Sequence, residues 1–153
     1  MHLKGREIAV VGGGIGGLTA SIALARRGAR VTVHERAPAF GEVGAGLQLS
    51  ANVMRVLRAL GVEQAVLARA TQPGEVRLRD GLSGRVVARV PLGEFARARW
   101  GAPHAVIHRA DLVVVLAEAA YKSFVPVMPS AQTMGMIGAL ALAANLVCFT
   151  LLY

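Results

Sequence analysis

With 153 residues the chain can bury one ordinary hydrophobic core, and it is short for an enzyme that must hold both a dinucleotide and a substrate. Its formal charge of +8 comes mostly from arginines spread singly along the chain, and aromatic residues make up 5% of it. That leaves no stacking platform for single-stranded nucleic acid, so no nucleic-acid partner is expected. The single cysteine, Cys148, excludes an intrachain disulfide and fits a reducing compartment.

A short apolar strand, Glu7-Ile-Ala-Val-Val11, runs into five glycines within six residues, Gly12-Gly-Gly-Ile-Gly-Gly17, and then into a helix. The spacing fits the nucleotide-binding turn of a Rossmann-type unit. Gly12 permits a tight turn, Gly14 lets bare backbone approach a pyrophosphate, and Gly17 lets the helix pack closely on the strand. The helix N-terminus, with Ile15 and Gly16 in its first turn, offers free N–H groups to phosphate oxygens. Leu18, Ile22 and Ala25 share one helical face, and Gly28 marks the stop. A second strand, Arg30-Val-Thr-Val-His34, then ends in Glu35, eighteen residues after Gly17. A carboxylate there can accept both hydroxyl protons of an adenosine ribose, which favours FAD or NAD over NADP. The apolar run over 8–25 is cut by glycines into strand, turn and helix. It does not read as a signal peptide, and the N-terminal part is expected in the cytoplasm.

Residues 36–49 carry turn formers and no helical period, which predicts a loop returning over the nucleotide, with Gly41, Gly44 and Gly46 allowing close passage. Ser50 is a suitable N-cap for a helix in which Val53, Leu57 and Leu60 share a face and Gly61 marks the end. A weaker helix is expected over Glu63 to Ala70. Between Glu75 and Val90 the period changes to two, with Asp80-Gly-Leu-Ser-Gly84 as the turn of a β-hairpin having one wet face. Residues 91–103 hold two prolines, two glycines and Trp100, and read as a loop or lid. Ala105-Val-Ile-His108 predicts a short strand, followed by a helix from Ala110 to Tyr121 with Leu112, Val115, Leu116 and Ala119 as its apolar stripe. His104 and His108 stand four apart, but in a strand that step separates side chains by roughly 13 Å, so no metal site is expected.

From Ser123 to Tyr153 there is no charged residue, and Met134 to Tyr153 is twenty residues interrupted by Asn145 and Thr150. As a helix it would be about 30 Å long, enough to cross a bilayer, and Gly135, Ala139 and Ala143 form a small-residue row of the kind that membrane helices pack on. A buried core helix is the competing reading, against which stands the small size of the rest of the chain. Lys122 and the basic residues before it would keep the N-terminal side cytoplasmic.

The first 120 or so residues resemble the class A flavoprotein monooxygenases, specifically the salicylate-hydroxylase-like aromatic-ring hydroxylases. The motifs that carry this are Val10-Val-Gly-Gly-Gly-Ile-Gly-Gly-Leu-Thr-Ala20, Val33-His-Glu-Arg-Ala-Pro38, Gly41-Glu-Val-Gly-Ala-Gly-Leu-Gln-Leu-Ser50 and His108-Arg-Ala-Asp-Leu112. The resemblance implies FAD in the glycine turn, held by Gly12, Gly14, Ile15, Gly16 and Gly17. It also implies ribose contacts from Glu35, pyrophosphate-side contacts from Arg36 and Arg109, and backbone contacts to the flavin region from Gly44, Ala45, Gly46 and Leu47. In such enzymes NADH or NADPH reduces the flavin and one oxygen atom is placed on a small aromatic substrate. No catalytic residue is assigned.

This resemblance ends near Tyr121, and the further strand and helix with which relatives continue are expected to be absent. The tail instead resembles a transmembrane helix of a cation diffusion facilitator, in Gly138-Ala-Leu-Ala-Leu-Ala-Ala-Asn-Leu-Val147. It carries no His or Asp, so metal transport is not expected. The resulting expectation is an α/β chain: a truncated Rossmann-like FAD-binding domain of the glutathione reductase type, with an inserted β-hairpin and a C-terminal apolar helix. Residues 1–121 form the partial FAD-binding domain, 122–132 a linker or junction, and 133–153 a transmembrane-like helix by which a cytoplasmic head is tethered. The two parts read as a fusion or truncated reading frame joined near residue 122, incomplete for turnover. The alternatives are a non-enzymatic membrane-tethered remnant and an NAD-binding module.

Overall fold

The computed structural model describes residues 3–37, 45–123 and 127–129, together with 135, 136, 139, 140, 142, 143, 146 and 147. The chain divides into two units, one of residues 1–41 with 116–153 and the other of 42–115.

In the first unit, β1 (Glu7–Val11), β2 (Arg30–Glu35) and β7 (Val127–Pro129) form a parallel sheet in the order β1-β2-β7. Ile8 pairs with Val31 and Val10 with Val33, so these β-branched residues share one face. Helix α1 (Ile15–Ala25) packs on both β1 and β2, with Leu18, Ser21 and Ile22 buried. Ile22, Leu18 and Val33 are almost fully buried, each contributing about 1.5–3 kcal/mol of apolar burial. Ala25, expected on the same helical face, is only half-buried. Read from β7, the order is the 3-2-1 half of a doubly wound sheet. Gly28 ends the α1 turn at φ +87°, and a Cβ there would meet Lys4 Cα at 3.2 Å.

Strand β7 corrects the expectation that no further strand follows Tyr121: it lies inside the segment 122–132 and pairs with β2 from Val33↔Val127 to Glu35↔Pro129. Three residues preceded by Pro126 and ending in Pro129 give no readable alternation, and proline is tolerated at the margin of a sheet. Most of the helix expected over 133–153 lies outside the described residues. The described residues there are helical, with Met136, Leu140, Leu142, Leu146 and Val147 exposed. Among the described residues no helix is long and apolar enough to cross a membrane.

In the second unit, β3 (Gly46–Leu49) pairs antiparallel with β6 (Ala105–His108), from Gly46↔His108 to Leu49↔Ala105. The loop expected over residues 36–49 therefore closes into a strand at its end. Four residues beginning with glycine carry too little pattern, and their partner is nearly sixty residues away in the chain. Helix α2 (Ala51–Ala59) buries Ala51, Met54 and Leu57, whereas Val53, expected on the core face, is 39% exposed. Leu60 is buried at the helix end. Helix α3 (Glu63–Leu67) follows, shorter than expected. Arg58 clamps the two helices through paired hydrogen bonds to Glu63 at 2.7 and 2.8 Å and a third to the Gly101 carbonyl at 3.1 Å.

Strands β4 (Glu75–Arg79) and β5 (Val86–Pro91) form the expected hairpin, and Ser83 donates to Asp80 Oδ1 from both N–H and hydroxyl across its turn. The expectation of one dry face is not met: Val76, Leu78, Val87 and Val90 are all exposed. The supposed lid over 91–103 contains helix α4 (Gly93–Trp100), with Ala96 buried and Gly101 closing it at φ +72°. Its Glu-Phe-Ala-Arg-Ala-Arg interior favours a helix, and the flanking prolines and glycines mark its ends. Helix α5 (Arg109–Lys122) runs from the second unit into the first, burying Leu112, Val113, Val115, Leu116 and Ala120; Ala119, assigned to the stripe, is half-buried.

Candidate cofactor site

The glycine turn belongs to the first unit. Gly12 stands at φ +100° and its N–H donates to the His34 carbonyl at 2.8 Å, so the β1–β2 ladder continues into the turn. A Cβ on Gly17 would lie 1.8 Å from the Gly12 carbonyl oxygen, a clash that fixes glycine where helix and turn meet. Gly14 and Gly16 differ, because a Cβ on either would meet nothing within 4 Å. The fold does not require glycine at these two positions, and their bare backbone faces open space of the kind a phosphate group needs. Gly14 is the N-cap of α1, and among the described residues no side chain caps that end, which leaves the first-turn N–H groups from Ile15 onward without a side-chain cap.

Glu35 sits at the end of β2. Its Oε2 accepts the Gly13 N–H at 2.5 Å and its Oε1 the Ala37 N–H at 2.8 Å. These bonds hold its carboxyl below the ordinary carboxylate range, the Ala37 N–H contributing most. Burial opposes the shift, while Gly13 N–H, Arg36 N–H and the Arg36 guanidinium support it. Glu35 is therefore an ionised acceptor at neutral pH. The bond to Gly13 was not foreseen, because residue spacing does not show which backbone N–H the Glu35 carboxylate accepts. Arg36 is exposed at the same strand end. His34 turns to the opposite face of β2, where its buried Nδ1 has no hydrogen-bond partner among the described residues.

The remaining expected residues belong to the second unit. Gly44 lies outside the described residues. Ala45 accepts the Arg109 N–H at 3.3 Å, which ties the start of α5 to the entry of β3. Gly46 and Leu47 pair with His108 and Ile107, leaving Gly46 exposed and Leu47 half-buried. The Arg109 side chain is exposed on the first turn of α5, at the strand-to-helix junction the sequence predicts. His108 has a structural use that sequence reasoning missed: its Nδ1 accepts the Ala110 N–H at 3.3 Å and caps α5. His104 precedes β6 and lines a separate cavity. Among the described residues there is no group of three or more His, Cys, Asp or Glu that could hold a metal ion.

The family model of the FAD binding domain matches residues 6–135. The chain belongs to this FAD binding domain family. The match runs past Tyr121 and takes in β7, in agreement with the sheet. The chain is 46% identical over 116 residues to the 3-hydroxybenzoate 6-hydroxylase of Polaromonas naphthalenivorans, covering 76% of this chain and 29% of that protein. It is 38% identical over 113 residues to the 6-hydroxynicotinate 3-monooxygenase of Bordetella bronchiseptica, covering 74% of this chain and 30% of that protein. Among solved structures, the tetrameric form of 2-methyl-3-hydroxypyridine-5-carboxylic acid oxygenase superposes with a TM-score of 0.70 at 30% identity, covering 82% of this chain and 31% of that one. The chain thus spans about a third of the length of the relatives it matches. The turn fits the adenosine diphosphate part of FAD in two respects: open space over Gly14 and Gly16, and an ionised acceptor in Glu35.

Proposed function

We propose that this chain is the N-terminal FAD-holding part of a monooxygenase acting on a small aromatic acid. The observation that carries the reading is the glycine turn with Glu35 fastened to it. Each carboxylate oxygen has two lone pairs and gives one to a backbone N–H. One remains on each for the two ribose hydroxyls of the adenosine, and the same negative charge disfavours a 2′-phosphate there. The N–H groups beginning at Gly14 and Ile15 would receive the pyrophosphate, with Gly12, Gly16 and Gly17 shaping the turn and Arg36 and Arg109 supplying positive charge. Gly44, Ala45, Gly46 and Leu47 would meet the flavin end through backbone groups.

When bound, FAD supplies the electron transfer and oxygen chemistry, with NADH or NADPH as reductant. The chain's own residues bind and orient it, and none of them is assigned to proton transfer. The substrate class rests on the relatives, whose names specify hydroxybenzoate, hydroxynicotinate and a hydroxypyridine carboxylic acid. The 3-2-1 strand order and the terminal Glu35 support the glutathione reductase type of FAD domain. The FAD-binding head is taken to be cytoplasmic and to run on past residue 121 to include β7.

Titration of the purified chain with FAD, followed by flavin fluorescence, tests this reading. Saturable binding that Glu35→Ala weakens about tenfold or more, the loss expected for hydrogen bonds to a charged group, supports it. Binding of NAD with no response to FAD would replace it with a nicotinamide module. A second reading concerns residues 133–153, whose uncharged sequence and exposed Met136, Leu140 and Leu146 favour a membrane tether of the facilitator-helix type. Flotation with liposomes is expected if the tether exists, and recovery of the chain wholly in the aqueous fraction without detergent overturns it.

A further inference from the structure

The β4–β5 hairpin leaves both its faces open. Val76, Leu78 and Val90 share one face, paired as Val76↔Val90 and Leu78↔Ala88, and the three are 41–52% exposed. On the other face Arg77 stands opposite Arg89, with Arg79 and Glu75 on either side of Arg77 along the strand. The Glu75 carboxylate accepts from Arg77 Nε and from Arg89 Nη1, the latter at 3.1 Å, so one acid serves three guanidinium groups on that face. Among the described residues β4 pairs with β5 alone. A ribbon of two strands is marginal in water, and a third strand is what gives such a sheet stability of its own.

The two outer edges are not alike. Strand β5 carries Pro91 and, opposite the Leu78–Arg79 step, the extra residue Val87, where the register shifts. Proline and bulges are the usual means by which a sheet edge is blunted, and β4 has neither. The Leu92 N–H donates to the Gly74 carbonyl just before the pair Glu75↔Pro91, and the Asp80 N–H to the Arg85 carbonyl just beyond Arg79↔Val86, both at 2.8 Å. Bonded and non-bonded pairs alternate in an antiparallel ladder, so Glu75, Arg77 and Arg79 turn their N–H and C=O groups away from β5, toward the open edge.

The side chains of β4 select what can pair there. An added antiparallel strand sets its residues opposite Arg77 and Arg79 on one face and opposite Val76 and Leu78 on the other. A second copy of the chain in full overlap would bring Arg77 against Arg77, which disfavours it. Acidic residues alternating with apolar ones satisfy both faces. We propose that β4 receives an extended acidic peptide segment of a partner protein as a third strand, its carboxylates opposite Arg77 and Arg79 and its apolar side chains opposite Val76 and Leu78. This surface belongs to the second unit and does not depend on the FAD reading.

The full chain is titrated with a fluorescently labelled peptide whose core is Glu-Val-Glu-Val-Thr, followed by anisotropy at low salt and by hydrogen exchange. Saturable binding is expected, with slowed exchange at the amides of Glu75, Arg77 and Arg79. A scrambled Glu-Glu-Val-Val-Thr core should bind about tenfold more weakly or worse, because its side chains cannot keep to their faces. Arg77→Glu combined with Arg79→Glu should lose about tenfold for the acidic peptide and take a Lys-Val-Lys-Val-Thr core in its place. Both arginines are exposed, and the exchange measurement on the parent chain tests the edge even if that variant fails to fold. Equal binding of the scrambled peptide or of polyglutamate, or binding without slowed exchange in β4, overturns the proposal in favour of charge alone. Absence of binding, or dimerisation of the chain through β4 that the peptide does not reverse, overturns it as well. FAD affinity should be the same with and without the peptide, so failure of either reading leaves the other standing.

Discussion

The glycine turn and the strand at Gly46–Leu49 were both assigned to one cofactor, yet they are built in different ways. In the turn two glycines answer a local demand, Gly12 for its φ and Gly17 for the carbonyl 1.8 Å from its absent Cβ, while Gly14 and Gly16 leave open space. At Gly46 a Cβ would meet only Val106 Cγ1, at an ordinary 3.8 Å, and the strand exists because β6 lies beside it. A site assembled from neighbours in sequence is fixed by sterics, whereas one assembled across a sheet is fixed by pairing and tolerates more.

The sharpest way to break that contrast is a pair of alanine substitutions. Gly17→Ala forces the turn apart and should cost roughly 3 kcal/mol or more, with loss of FAD binding, as overpacking and backbone strain do at their upper end. Gly46→Ala should leave the melting temperature nearly unchanged. Thermal melts and flavin titration of the two side by side check both, and similar losses would erase the distinction.

Next in size is Glu35→Gln, which removes the charge and one acceptor. FAD affinity should fall about tenfold to a hundredfold, the range for hydrogen bonds to a charged group. The same variant carries a pH signature. The Glu35 carboxyl titrates below its ordinary 4.5 in the folded chain, so the stability it confers is complete above that value and is lost as pH falls through the lower, folded value. Melting temperature against pH should therefore drop less steeply below about pH 4.5 in Glu35→Gln than in the parent chain. Parallel acid limbs would show that the bonds to Gly13 and Ala37 do not stabilise the fold.

Smaller effects belong to the second unit. His108→Ala removes the cap of α5 and should lower stability by about 1 kcal/mol, read from chemical denaturation. Asp80→Ala loosens the hairpin turn closed by Ser83. Because that hairpin is exposed on both faces, the global melting temperature should hardly move, while hydrogen exchange of β4 and β5 quickens.

Legibility in the sequence followed the same division. The turn, α1, β2 and Glu35 were readable because strand, glycines, helix and acid follow one another within thirty residues and each has a local reason. Strand β3 was not, since its evidence is the pairing with residues 105–108. Strand β7 was hidden by prolines, and α4 by the prolines and glycines at its ends, which drew attention from its helix-forming interior. The buried face of α2 was misjudged at Val53 because Met54 and Val53 are both apolar and only packing decides between them. Of the site residues, the bond from Gly13 to Glu35 and the capping role of His108 are matters of hydrogen-bond direction, which residue spacing does not encode.

Two adjacent N–H groups of the glycine run, on Gly12 and Gly13, are anchored by the chain's own hydrogen bonds to two adjacent residues of β2, His34 and Glu35. The cradle is thus ordered during folding, so little conformational entropy remains to be lost when a phosphate arrives. The free chain and the nucleotide-bound chain should share one backbone conformation here, and the turn should behave as a rigid receptor, not as a loop that closes on its ligand.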